Sequence, residues 1–239
     1  MKRGTGMKST ESKNSTKAAT SQAGDATRRR LIDAGIDVFG RYGFEAATTR
    51  MLARAAGVNL AAIPYHFGGK EGLYHAAVLQ VVDRALGALE AERRIVFETM
   101  KNPDASRDEL LGALETIIRG FGRVMICSEI GGQFGPIIVR EQFHPTSAFD
   151  RIYESEMRTL HEAVTCLVAR LTGVSPESEE AILRAHAIIG QVVVFRVMRE
   201  TALRRLEWNG FDEENTRKVC DILIENIRRI FERGNERGL

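Results

Sequence analysis

The sequence predicts an all-α fold in two domains, and three observations carry the prediction. Apolar residues recur at threes and fours along most of the chain, without the strict alternation of a strand. Glycine and the pairs Asn102-Pro103, His144-Pro145, Ser175-Pro176 and Asn209-Gly210 cut it into segments of helical length. With 239 residues and 44% hydrophobic content, the chain can bury a core in one or two domains without disulfide or metal staples.

Residues 1–24 are polar and basic, with Lys2, Arg3, Lys8, Lys13 and Lys17 but no apolar core, so they read as a disordered tail and not a secretory signal. Asp25 is a candidate N-cap for a first helix that keeps Leu31, Ala34, Gly35, Val38, Phe39 and Tyr42 on one face and stops at Gly43. Thr48 caps a second helix to Ala56, with Met51, Leu52 and Ala55 inward and Gly57 in the left-handed position that ends it. Asn59 caps a third ending near Phe67, and Gly68-Gly69 precedes a long helix from Lys70 to about Met100. Ser106 and Glu109 form a capping box for a stripe of Leu110, Leu114, Ile117, Ile118, Phe121 and Met125, which Gly131, Gly132 and Gly135 should end. A short segment from Pro136 to Phe143 follows, then a helix from Ser147 to Leu171. The next starts at Ser175-Pro176 and runs to about Trp208, and the last spans Asp212 to Arg233. The domains expected are therefore 1–24, 25–75 and 76–239.

Composition excludes several classes. The longest apolar run, Ala187 to Phe195, is interrupted by Gly190 and Gln191 and falls far short of the roughly 20 residues of a membrane span, so no membrane partner and a cytoplasmic location are expected. Cys127, Cys166 and Cys220 fit neither a disulfide framework nor a zinc knuckle and read as free buried thiols. No nucleophile–base pair, phosphate loop or HExxH string appears, and no cofactor is called for. The net charge of +2 conceals an asymmetry: residues 1–70 hold 12 Lys/Arg against 5 Asp/Glu, and the remaining 169 hold 22 against 27. A basic end of that kind suits a polyanion, although five of the twelve cations lie in the tail.

Thr48 to Phe67 has the spacing of a helix-turn-helix. Gly57 permits the positive φ of the turn, Val58 fills the space between helices, and the small Ala61 and Ala62 allow close approach to base edges. The string Thr48-Thr49-Arg50-Met51-Leu52-Ala53-Arg54-Ala55-Ala56-Gly57-Val58, followed by Asn59 to Phe67 and by Lys70-Glu71-Gly72-Leu73-Tyr74, resembles the DNA-binding domain of TetR-type regulators over about residues 26–75. The resemblance implies a homodimer on double-stranded operator DNA, with a divergent helical C-terminal domain for a small-molecule effector and dimerisation. It assigns phosphate contacts to Tyr65, His66 and Lys70 and places Thr48, Thr49, Arg50, Asn59, Leu60, Ala61 and Ala62 at the major groove. One departure is Pro64, where many members have tyrosine; without an N–H it cannot bond the Leu60 carbonyl, so this helix should be short or kinked. Phe67 and Leu73 read as core.

Residues Ile137 to Tyr153 resemble the branch of this family that includes the regulator of cefoperazone and chloramphenicol sensitivity. Arg140, Glu141 and His144 beside Phe143, Phe149 and Tyr153 could line an apolar effector pocket with a few orienting polar groups, or form an Arg–Glu ion pair next to a helix-terminal histidine. Glu141 and His144, with His161 and His186, also allow a metal site, and with it a metal-responsive regulator or a helical metal-dependent hydrolase. Val192, Val193, Val194, Phe195 and Val197, facing Val219, Ile222, Leu223, Ile227 and Ile230, are broader than one inward stripe requires and predict a four-helix dimer interface.

Overall fold

The structure is a computed structural model describing residues 9–232, apart from the side chains of residues 9–21, 130, 133, 134, 155 and 156. It is helical throughout, with no strand among the described residues, and divides into units at Ala77/Val78. Helix α1 (Ser9–Ala46) bends at Gly43, whose φ of 76° is the conformation glycine adopts without a Cβ clash. Asp25 therefore lies inside α1 and is not its N-cap; residues 1–8 of the expected tail lie outside the described residues. Helices α2 (Thr49–Ala56) and α3 (Ala62–Phe67) pack on α1, and α4 (Lys70–Gly87) carries the chain across the unit division. The first unit's core is Leu31, Ile36, Phe39, Leu52, Ile63, Leu73 and Tyr74, with Tyr74 edge-on to Phe39 at 4.9 Å. Tyr42 and Ala55, expected inward, are exposed, and Ala53 and Ala56 take the buried positions with Leu52.

In the second unit the helix expected from Lys70 to Met100 is broken. α4 stops at Gly87, Leu89 turns inward with 3% exposure, and α5 (Glu90–Lys101) begins after it. The capping box of α6 (Arg107–Gly122) forms as expected: Ser106 Oγ accepts from Glu109 N while Glu109 Oε2 accepts from Ser106 N at 2.7 Å. A π-helical turn, Arg123–Cys127, extends it to Ser128.

The glycines expected to end that helix lie inside the next, α7 (Glu129–Phe143), which Ser128 starts by accepting from Gly131 N at 3.2 Å. Gly131 and Gly135 serve close approach instead of termination. A Cβ on Gly131 would sit 2.5 Å from the carbonyl oxygens of Val124 and Met125, and one on Gly135 would sit 2.6 Å from Arg196 Nε. Pro136, inside α7, cannot donate to the carbonyl of Gly132; that oxygen instead accepts from Arg196 Nη2 at 3.1 Å.

Helix α8 (Ser147–Ile152), a π-helical turn (Tyr153–Met157) and α9 (Arg158–Thr172) follow one another as the single long helix expected. Ser175-Pro176 forms a turn, and α10 (Glu179–Val197) starts at Ser178, whose hydroxyl accepts from Ala181 N. α10 is not continuous to Trp208: the chain bends by 72° at Met198 into α11 (Arg199–Leu206), and α12 (Glu213–Glu232) closes the unit. Leu114, Ile117, Ile118, Leu167, Val192, Leu223 and Ile227 form its core. No single described helix is long and apolar enough to cross a membrane, and the three cysteines are free, Cys220 buried as expected but Cys127 and Cys166 only half-buried.

Gly131→Ala should lower Tm by several degrees, because its Cβ meets fixed backbone and overpacking of that kind costs about 1–3 kcal/mol, each worth roughly 2–4 °C in a chain of this size. Gly132→Ala, whose Cβ would meet only a side-chain nitrogen at 3.9 Å, should leave Tm unchanged or raise it. Thermal unfolding followed by circular dichroism compares the two.

Candidate functional site

The turn between α2 and α3 is built by backbone accounting. Thr48 Oγ1 accepts from Met51 N at 3.2 Å to start α2, so this hydroxyl is a cap as well as a surface group. Gly57 adopts φ 61°, ψ 42°, and the N–H groups of Gly57 and Val58 reach back to the carbonyls of Arg54 and Ala53, closing a Schellman turn. Asn59 Oδ1 then accepts from Ala61 N at 2.9 Å. α3 is only six residues long. Its first bonds run from Ala62 N to Asn59 O and from Ile63 N to Leu60 O, three residues back, which fills the Leu60 carbonyl that Pro64 cannot reach. The sequence had implied a short helix here for that reason.

Around this turn Thr48, Arg50, Asn59, Leu60 and Ala61 are exposed, Thr49 and Ala62 half-buried, and Tyr65 is 83% exposed with its ring edge-on to His66. Such exposure of a tyrosine leaves its hydroxyl open to a partner. Arg28 lies over the ring of Phe67 at 5.4 Å, which leaves that ring half-buried instead of fully core. Lys70 is half-buried: its Nζ donates to the carbonyl of Phe44 at 2.9 Å and lies 4.3 Å from the centre of the Phe44 ring. One of its three N–H donors thus ties the start of α4 to the end of α1, so the side chain supports the fold where the sequence had assigned it a phosphate contact alone.

The second unit contains a cavity of about 270 Å³. Its walls come from the end of α4, from both π-helical turns, and from α6, α7, α9 and α10, with Leu86, Phe121, Met125, Ile138, Leu160 and Ile189 among the apolar residues. An extra residue in a helical turn redirects the side chains that follow, and Val124, Met125 and Met157 reach the cavity from those turns. Four polar side chains line it: Gln142, His161, His186 and Arg196. The rings of His161 and His186 lie 5.6 Å apart; burial, and then the neighbouring His186, lower the pKa of His161. A second hollow of about 450 Å³, lined by α5 and α9, brings both signs of charge together through Glu90, Arg93, Arg94 and Glu162.

None of the six residues expected to contact an effector lines either space. Glu141 is buried at 1% exposure, and its carboxylate accepts from the N–H of Thr146 at 2.9 Å and from its hydroxyl at 3.0 Å, fastening the turn before α8. Arg140, Phe143, His144 and Tyr153 are exposed, and Phe149 is half-buried. The physical reason is that α7 turns its Ile138 and Gln142 side toward the cavity, and Glu141 packs on the turn beyond it. The proposed metal set does not assemble either: His161 and His186 share the cavity, Glu141 is engaged by Thr146, and no group of three His, Cys, Asp or Glu side chains converges among the described residues. Sequence reasoning missed Gln142 and Arg196. Their signal was a proline inside a helix, which leaves a carbonyl in need of a donor, and a lone arginine in the run Val192 to Val197.

Comparison with known proteins agrees with this arrangement. Residues 31–77 match the family model for bacterial regulatory proteins of the tetR family, and residues 110–233 match that for the C-terminal domain of the HTH-type transcriptional dual regulator CecR. The chain is 34% identical over 222 residues to the dual regulator CecR of Shigella flexneri, covering 90% of this chain and 96% of that protein. This chain belongs to the TetR family, in its CecR branch. It is a DNA-binding transcriptional regulator. The transcriptional regulator RutR of Escherichia coli K12 is 32% identical over 126 residues, 41% of this chain and 59% of its own length. Among solved structures, a transcriptional regulator from Rhodococcus sp. RHA1 superposes with a TM-score of 0.58 at 19% identity, covering 84% of this chain and 96% of that one. A TetR-like regulator from the same source gives 0.53, also at 19% identity, over 83% and 91%.

Two substitutions test these placements. Glu141→Ala removes a buried carboxylate that accepts two hydrogen bonds from Thr146 and should destabilise the protein by about 2–3 kcal/mol. Lys70→Ala loses a charged hydrogen bond and a cation–π contact and should cost about 1–3 kcal/mol. Urea unfolding measures both, with Tyr65→Phe as the exposed control that should shift neither the midpoint nor the slope.

Proposed function

We propose that this TetR-family regulator works as a homodimeric repressor, holding a palindromic operator through two copies of the α2–α3 turn and releasing it when a small molecule occupies the α4-bounded cavity. The observation that supports this most directly is α4 itself. One uninterrupted helix begins at Lys70, beside the recognition turn, and ends with Val82, Ala85 and Leu86 in the cavity wall. A ligand bound against Leu86 then biases the set of that helix, and with it the spacing of two recognition helices that must lie roughly 34–36 Å apart on DNA.

On this reading Arg50, Asn59, Leu60, Ala61 and Ala62 meet base edges together with Thr48 and Thr49, while Tyr65 and His66 donate to phosphates. Lys70 keeps two N–H donors for phosphate beside the one on Phe44. The dimer face combines the part of the expected arcs that the subunit's own core leaves open with Leu183, Ala187 and Gly190 earlier on α10, outside those arcs. Val192, Val219, Leu223 and Ile227 are buried within the subunit, whereas Leu183, Val194 and Val197 form an exposed stripe on α10, with the small Ala187 and Gly190 between them, and Ile222 and Ile230 are exposed on α12. A Cβ on Gly190 would meet nothing within 4 Å, so the stripe has room for the close approach of a second α10.

Binding to promoter DNA from the chain's own gene region, measured by fluorescence anisotropy across a salt series, tests the reading. Wild type should bind with a steep salt slope, Arg50→Ala should lose sequence preference, and Tyr65→Phe should weaken specific and non-specific binding alike. Leu183→Glu combined with Val194→Glu should yield monomers in sedimentation and reduce operator affinity by about two orders of magnitude, because the second half-site is no longer tethered. A wild-type monomer at micromolar concentration, or affinity indifferent to salt, would overturn it.

A further inference from the structure

The cavity's polar lining is one-sided. Among the described residues, the titratable side chains that line it are the Arg196 guanidinium and the imidazoles of His161 and His186, with neutral Gln142 and no aspartate or glutamate. Arg196 uses one N–H on the Gly132 carbonyl and has no ion pair with a carboxylate among the described residues. Its charged form is disfavoured first by burial and then by Arg199, and the charged form of His161 is disfavoured by burial and by His186. Arg196 is thus a half-buried cation with no carboxylate of the described residues opposite it in the cavity. A half-buried cation in that position is costly until an anion joins it.

The rest of the wall is aliphatic, aromatic and thioether, and the space is small by the standard of ligand sites, which run from about 300 to 1,000 Å³. Pro136 fixes the guanidinium in place. By leaving the Gly132 carbonyl without its helical donor, it gives Arg196 an anchor on α7, and Gly135 clears the path of its stem. The arginine is thus held before any ligand arrives, which lowers the ordering cost of binding.

We infer that the effector is an amphipathic anion, whose carboxylate-like head pairs with Arg196 beside His161 and His186 and whose apolar body lies along Leu86, Phe121, Met125 and Ile189. This rests on the reading of the cavity as the effector site. An ammonium would meet the like charge of Arg196 and no carboxylate of the described residues. A neutral ligand would leave the arginine without its counter-ion.

The test is calorimetric titration of the full chain with three probes that share one body: decanoate, decan-1-ol and decylamine. Decanoate should bind at least tenfold more tightly than decan-1-ol, with decylamine weakest. Arg196→Gln should collapse the ratio of decanoate to decan-1-ol toward one, with its circular dichroism showing an intact helical fold. Should that variant not fold, Gln142→Glu, nearly isosteric and at an exposed position, decides instead: it should weaken decanoate and strengthen decylamine. Decan-1-ol binding as tightly as decanoate, or a ranking that Gln142→Glu leaves unchanged, would overturn the anion and leave the cavity as an effector site. Failure of all three probes to bind, with operator binding intact, would overturn both.

Discussion

A proline inside a helix leaves the carbonyl four residues earlier without its donor, and both the helix-turn-helix and the cavity of the second unit are shaped by how that carbonyl is satisfied. Pro64 orphans Leu60, and the answer is local: Ile63 N–H takes the carbonyl with a tighter three-residue bond, so α3 is short and steep at its start. Pro136 orphans Gly132, and the answer is remote: an arginine 64 residues away in sequence crosses from α10 to donate. The first solution sets the form of the surface offered to DNA. The second places a cation in the wall of an apolar cavity and fixes it there.

The glycines around Pro136 belong to the same construction. Gly131 allows α7 to pass against the carbonyls of Val124 and Met125, and Gly135 leaves room for the Arg196 stem. Without those approaches the π-helical turn at Arg123–Cys127 and the second half of α7 could not share one wall. The hollow bounded by α4, α6, α7, α9 and α10 is therefore a consequence of backbone contacts as much as of side-chain volume.

Lys70 and Glu141 show how the same residue type can serve fold and function. In sequence both are charged residues in a motif, each beside an opposite charge, Glu71 and Arg140, and the motif favours a ligand role. In the structure each satisfies nearby groups: Lys70 the Phe44 carbonyl, Glu141 the N–H and hydroxyl of Thr146. Tyr65 differs because its side chain is largely exposed, touched edge-on by the ring of His66. Exposure, and not residue type, separates these cases, and exposure is invisible in a string of letters.

What the sequence determined by itself is local. Helical periodicity gave the all-α class; the caps at Thr48 and Ser106, the turn at Gly57 and the short α3 after Pro64 depend on residues within five positions of one another, and all occur in the structure. Tertiary packing decided what depends on distant partners. Leu89 turns into the core and breaks the long helix, the α7 glycines receive neighbours instead of ending a helix, and the bend at Met198 redirects the chain after α10. The cavity's lining was decided in the same way, because Gln142, His161, His186 and Arg196 come together only when α7, α9 and α10 pack. The physical reason is range: a cap or a turn is closed by its own neighbours along the chain, whereas a cavity wall exists only between elements that the chain has first to bring together.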